Sequence, residues 1–303
     1  MTQVGAVAGA TVLHRTAEAA DLIRAAYPAG SIVMDREYLD WVLAPREDLA
    51  RDPVAALATD EDVPVGFAAA APVALAIDDS HHPADIVSFV AVAPTHRGAG
   101  LARELYACLL EELRARRTTP LVLTFAQAGT AGAALIERCY PEAGWTGTEL
   151  LPTAPRGILR RRLARVAAAD ASVQRTAHLT LADDEVTAAR MRRDPRHVAT
   201  APSGARVLAV RTIGDEDRAV GVIDSWPATL TGTTLAEALA LADASLAPEV
   251  TQVMVSGLGD DADALCAAAG LRRLPGTSWR SWLWCPDPGH PALRAESTGI
   301  PIT

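Results

Sequence analysis

Residues Ile86 to Leu113, IVSFVAVAPTHRGAGLARELYACLLEEL, decide how the rest of the chain is read. Residues 86–93 are almost wholly apolar and β-branched or aromatic, the composition of a central strand covered on both faces. Pro94 ends that run. From Leu101 the apolar residues Leu101, Leu105, Cys108, Leu109 and Leu113 recur at helical spacing, with Arg103, Glu104, Glu111, Glu112 and Arg114 on the other side. The turn between strand and helix carries Arg97, Gly98 and Gly100. It therefore lies at a helix N-terminus, where several backbone N–H groups lack an intrahelical partner and the dipole favours an anion. Two glycines let a phosphate approach the backbone, and an arginine adds a fixed charge beside it.

No lysine follows the glycines, so this is not a nucleotide P-loop, and the three-glycine dinucleotide fingerprint is also absent. Val92-x-Pro94-x-x-Arg97-Gly98-x-Gly100-x-Ala102 resembles the acetyl-CoA signature of the GCN5-related N-acetyltransferases (GNAT). Downstream, Leu121–Phe125 reads as a strand, Thr130–Arg138 as a helix, and Tyr140-Pro-Glu-Ala-Gly144-Trp145 resembles the Tyr-x-x-x-Gly-Phe ending of that family. The resemblance implies a mixed α/β (α+β) fold with a central sheet flanked by helices, and acetyl-CoA or another acyl-CoA as co-substrate. It also implies that amides from Arg97 through Gly98, Ala99, Gly100, Leu101 and Ala102 hold the diphosphate, and that Val90, Ala91 and Val92 pair with pantetheine. Tyr140 is expected to give its proton to the departing thiolate. Ala133 stands where the family usually has asparagine, but the chain contains no Asn and no Lys at all. That absence reflects codon bias, and it excludes a catalytic lysine.

At 303 residues with 50% hydrophobic composition, the chain has room for two cores. A net charge of −9 argues against nucleic acid and for a neutral or cationic acceptor. Cys108, Cys139, Cys266 and Cys285 show neither metal-ligand nor disulfide-framework spacing, so no metal is expected and a reducing cytoplasm fits. No 18-residue apolar span or signal-like N-terminus is present, so no membrane partner is expected.

Residues 1–10 read as a mobile tail, Thr11–Arg15 as a short strand, and Thr16–Ala26 and Asp35–Leu43 as helices. In the resembling family the first helices form a wall of the acceptor site. Glu37, Tyr38 and Trp41 are therefore acceptor candidates, although Tyr38 and Trp41 also fit simple packing on the sheet. A hairpin is expected around Asp60-Glu61-Asp62, then a polar turn from Asp78 to Pro83. An alkylamine of pKa near 10.4 needs about 4 to 5 kcal/mol to shed its proton at pH 7, so a base is sought. His82 and Asp85, entering the central strand, are the candidates, each with a bland alternative as a turn or strand-end residue. Ser88 could orient the acceptor.

The second half repeats the first. Asp60–Phe67 matches Asp215–Val222 at an offset of 155, and Cys266-x-x-x-Gly270-Leu271 stands in for Tyr140-x-x-x-Gly144-Trp145 at an offset of 126. Between these points 29 residues are missing, the interval that holds the central strand and glycine loop in the first half. The chain is thus expected to be a tandem GNAT fold, 1–168 catalytic and 169–303 degenerate. The second copy serves as a wall, a lid or a homodimer surface. Trp226, Trp279, Trp282 and Trp284 either line a pocket at the junction or pack a core strand. The function expected is acyl transfer to the amine of a small molecule, with acetylation of protein lysines or protein N-termini, or a non-catalytic CoA-binding regulatory protein, as alternatives.

Overall fold

A computed structural model describes residues 2–77, 80–166, 171–174, 179–181, 185–214, 218–227, 229–274, 278–290 and 293. The chain opens with β1 (Gln3–Ala8), paired antiparallel along its whole length with β2 (Val54–Asp60). The expected mobile tail is therefore an edge strand, and the strand expected at Thr11–Arg15 is replaced by a short helix α1 (Ala10–Leu13). Helices α2 (Thr16–Ala26) and α3 (Arg36–Val42) follow, the latter capped by the Asp35 carboxylate accepting from the Tyr38 amide. β2 returns through Glu61 and Asp62, both with positive φ, into the long β3 (Val63–Ile77). Two left-handed residues in succession give the primed turn that matches strand twist.

Strand β4 (Ser80–Val87) and the two-residue β5 (Ala91–Val92) both pair with β3. Ser80 to Pro83 are thus strand, not turn; the small and apolar side chains of β3 across from them make pairing available. Helix α4 (Leu101–Arg116) buries Leu101, Leu105, Tyr106, Leu109, Leu110 and Leu113 against one face of the sheet, while α2 and α3 cover the other with Leu22, Ile23, Tyr38 and Leu39. β6 (Val122–Gln127), α5 (Ala131–Glu142), capped by Thr130, and β7 (Thr146–Thr153) complete this run.

The halves exchange strands. The next strand, β8 (Arg156–Leu159), leaves the first sheet and enters the second. Short strands β9 (Ser172–Gln174) and β10 (Leu179–Leu181) follow, β10 pairing with the far end of β3. Helix α6 (Glu185–Met191), β11 (His197–Thr200), β12 (Arg206–Arg211) and β13 (Ala219–Asp224) lead to β14 (Thr229–Thr231), helix α7 (Gly232–Ser245) and β15 (Gln252–Val255). Helix α8 (Asp263–Ala268), β16 (Arg272–Arg273) and β17 (Trp279–Cys285) close the chain. The first sheet runs β1-β2-β3-β4-β6-β17-β7 with β5 and β10 also on β3, and the second runs β11-β12-β13-β15-β8-β16.

Each half thus depends on a strand from the other. Gly147 on β7 admits Trp284 of β17, since a Cβ there would lie 2.2 Å from the indole. The fully buried Arg156 of β8 donates to the Leu258 and Gly259 carbonyls and to Asp263. Trp282 and Trp284 are therefore core residues of the first sheet. Residues 167–170 and most of the tail beyond Cys285 lie outside the described residues.

The repeat differs from the alignment in one respect. β13 pairs in parallel with β15, the position β4 holds beside β6 in the first half. The central-strand slot is filled, and what the second copy lacks is the glycine loop. Thr231 instead caps α7 with its own hydroxyl, accepting from the Thr234 amide.

Candidate cofactor cleft and its surroundings

The cleft follows from register. Ala70 faces Val87 and Phe67 faces Ala91, three steps along β3 against four on the partner, so one extra residue is bulged at Ser88–Val90. β4 pairs in parallel with β6 only at Asp85, Ile86 and Val87; beyond Val87 the two strands part. The amide of Ala93 donates to the Val65 carbonyl, and Ala91 pairs with Phe67, so their backbone groups point to β3. By alternation those of Val90 and Val92 point the other way, into the gap. Of the three residues expected to pair with pantetheine, Ala91 is thus turned away.

The gap leads to the glycine loop. Gly98 and Gly100 have φ of 84° and 85°, a region costly for other residues, and a Cβ at either would meet nothing within 4 Å. The loop from Arg97 to Gly100 is exposed, and the amides of Gly98, Ala99, Gly100, Leu101 and Ala102 donate to no acceptor among the described residues. These amides open α4, whose first bonded N–H groups are those of Arg103 and Glu104, both to the Gly100 carbonyl. Arg97 is solvent-exposed and donates to the Ala26 carbonyl at 2.5 Å.

Tyr140 lies on α5, fully buried beside Trp284, which pairs with Val122 where β4 and β6 are still joined. Its ring stacks on Trp284 at 4.7 Å and meets Tyr106 and Trp145 edge-on at 5.9 and 6.0 Å. The hydroxyl has no hydrogen-bond partner among the described residues. Burial, with smaller contributions from Tyr106 and Cys139, holds its pKa well above that of an ordinary phenol, so it keeps its proton. Trp284 itself donates from Nε1 to Thr124 Oγ1 at 3.0 Å.

Neither base candidate stands at the bulge. Asp85 is fully buried and ion-paired to Arg51 at 2.5 Å and to Arg117 at 3.0 Å, both arginines themselves buried. Two guanidiniums occupy its oxygens, which makes it a structural anion. His82 lies opposite Leu75, six residues before Ser88 and so about 20 Å along the strand from the bulge. Its ring meets His290 at 5.9 Å, and burial plus that neighbour lowers its pKa. Ser88 stays in the bulge, where its carbonyl accepts from Tyr27.

The expected acceptor wall turns toward the second half. Tyr38 is buried against Phe89 and Trp41, with the Arg196 guanidinium 3.8 Å above its ring. Trp41 donates to the Arg190 carbonyl and lies under that guanidinium at 5.5 Å. Glu37 remains exposed and lines a cavity of about 230 Å³ between the halves with Asp35, Arg196 and Arg211. Tyr38 and Trp41 are therefore packing residues. Sequence reasoning missed Tyr27 at the cleft, whose hydroxyl reaches the bulge carbonyls, and Tyr106 in the core around Tyr140; Tyr27 had one signal, its place at the end of the helix before the Pro28–Gly30 break. Among the described residues no group of three His, Cys, Asp or Glu is arranged to hold a metal, and no helix is long and apolar enough to cross a membrane.

The bulged, splayed strand pair with its glycine loop and opening helix defines a GNAT fold, here in tandem. Residues 36–138 match the acetyltransferase (GNAT) domain family, so this segment is a GNAT domain. A tandem GNAT protein from the clavulanic acid biosynthesis pathway is similar over 95% of this chain and 100% of its own, with TM-score 0.58 and 17% identity. Saccharomyces cerevisiae N-myristoyltransferase with bound myristoyl-CoA and inhibitors is similar over 99% of this chain and 86% of its own, with TM-score 0.62 and 10% identity. These likenesses are of fold. No curated protein matches the chain.

Proposed function

We propose that the chain transfers an acyl group, acetyl by default, from acyl-CoA to the amine of a small molecule by direct attack. The observation that carries this reading is the run of five amides from Gly98 to Ala102, without an acceptor among the described residues, that opens from an exposed loop at the mouth of a splayed strand pair. Arg97 and these amides would hold the diphosphate, and the edge of Val90 and Val92 turned away from β3 would hold pantetheine. Acyl-CoA supplies a carbonyl activated for attack and a thiol leaving group. The residues fit that role in a further respect: the Tyr140 hydroxyl is a buried donor with no acceptor among the described residues, and a sulfur brought to it would satisfy it. Tyr140 keeps a proton at Oη for the departing sulfur, and Trp284, Tyr106 and Trp145 exclude water around it.

With Asp85 and His82 engaged elsewhere, the acceptor has to arrive with its amine largely uncharged. An amine of pKa near 8, such as an α-amino group, loses its proton at pH 7 for about 1.4 kcal/mol, against 4 to 5 for a lysine-like amine. This favours α-amines over lysine-like side-chain amines. The test is thiol release from acetyl-CoA across an amine panel. Release with α-amino acceptors supports the reading; cofactor binding without release on any amine supports a non-catalytic acyl-CoA binder.

A further inference from the structure

The end of α2 reaches both ends of the cofactor cleft. The Tyr27 hydroxyl is shared between the Ser88 carbonyl at 3.3 Å and the Val90 carbonyl at 3.4 Å, the two carbonyls flanking the centre of the bulge. The neighbouring Ala26 carbonyl accepts from Arg97 of the glycine loop. One dipeptide thus occupies the bulge edge and the loop cation together. Val90 points into the splay, so the phenol stands where an incoming N–H donor would bond. Both distances are long for an O–H donor, which describes a loosely held contact.

The segment after Tyr27 is tied to the second half. Gly30 donates to the Ile213 carbonyl, Ile213 to the Ser31 carbonyl, and Val33 to the Arg211 carbonyl. Residues 30–33 therefore run as a strap anchored beyond β12, leaving Ala26 and Tyr27 as the end that meets the cleft. Burial raises the Tyr27 pKa to about 12, so the phenol stays a donor across the working range.

We propose that Tyr27 is a plug in the acyl-CoA cleft: its hydroxyl occupies the Val90 carbonyl until the co-substrate takes that bond, and binding releases Tyr27 and the Arg97–Ala26 contact together. This rests on the acyl-CoA reading above.

The test is calorimetric titration of CoA and acetyl-CoA into the wild-type chain and Tyr27→Phe, with hydrogen exchange on the wild type alone. Tyr27→Phe frees the carbonyl and is expected to lower Kd about threefold, since one modest hydrogen bond no longer has to break. Exchange across 26–30 is expected to speed up on binding while 88–102 slows. An unchanged or higher Kd in the variant, or slower exchange at 26–30 on binding, overturns the plug while leaving the function intact. Should Tyr27→Phe not fold, the exchange measurement decides alone. Failure of the wild type to bind either compound overturns the acyl-CoA reading and the plug with it.

Discussion

Replacing Tyr140 by phenylalanine removes one oxygen and leaves the ring stacked on Trp284 at 4.7 Å. That oxygen is buried without a partner, a state that costs about 1–3 kcal/mol relative to a satisfied or absent group. The variant is therefore expected to be as stable as the wild type or more stable by up to that amount. At about 2–4 °C per kcal/mol for a domain of this size, the rise in Tm reaches roughly 2–12 °C. Turnover moves the other way. A positioned proton donor contributes roughly 10²–10⁴-fold, so kcat in a thiol-release assay should fall by about that factor with Kd for acetyl-CoA little changed. Scanning calorimetry and steady-state kinetics on one preparation read both signs. A lower Tm with unchanged kcat would show that the hydroxyl makes a structural bond and donates no proton to the thiol, refuting the assignment.

Asp85→Asn removes the anion between two buried arginines and should cost about 3–5 kcal/mol, seen as a lower denaturant midpoint; a variant of native stability that has lost only turnover would restore Asp85 as a base. Gly100→Ala should weaken CoA binding more than tenfold in a titration, because its Cβ enters the space beside the free amides. Gly204→Ala, with the same backbone strain at φ 88° in the second half, should lose similar stability and leave binding alone. Stability should also fall with acid. His82 and His197 both have lowered pKa values, from burial first and then neighbouring positive groups, so the unfolded chain takes up their protons at higher pH than the fold does. Their contribution is complete above about pH 6.5 and is lost as pH drops below it. Denaturation between pH 7.5 and 5.5 should show this slope, and His82→Gln with His197→Gln should flatten it.

The local grammar of the first half was legible because it is written at short range. The apolar run before Pro94, the glycine pair, the periodicity of α4 and the acidic hairpin turn each specify their own geometry. Long-range pairing is not written that way. Nothing in Trp279–Cys285 distinguishes a strand of the second sheet from one inserted between β6 and β7, and nothing near Gly147 in sequence marks it as the residue that makes room for Trp284. The same limit explains Asp85. Its position at the start of a central strand suggested a base, but its partners Arg51 and Arg117 arrive from 34 and 32 residues away. The missing interval in the repeat was visible, whereas the reuse of β13 in the central slot required knowing which strands lie side by side.

The decisive measurement is a crystal structure of the chain with acetyl-CoA. The diphosphate should lie against the amides of Gly98 to Ala102, with the pantetheine along Val90 and Val92. A diphosphate bound elsewhere, with those amides still facing water, would contradict the assignment of the cleft.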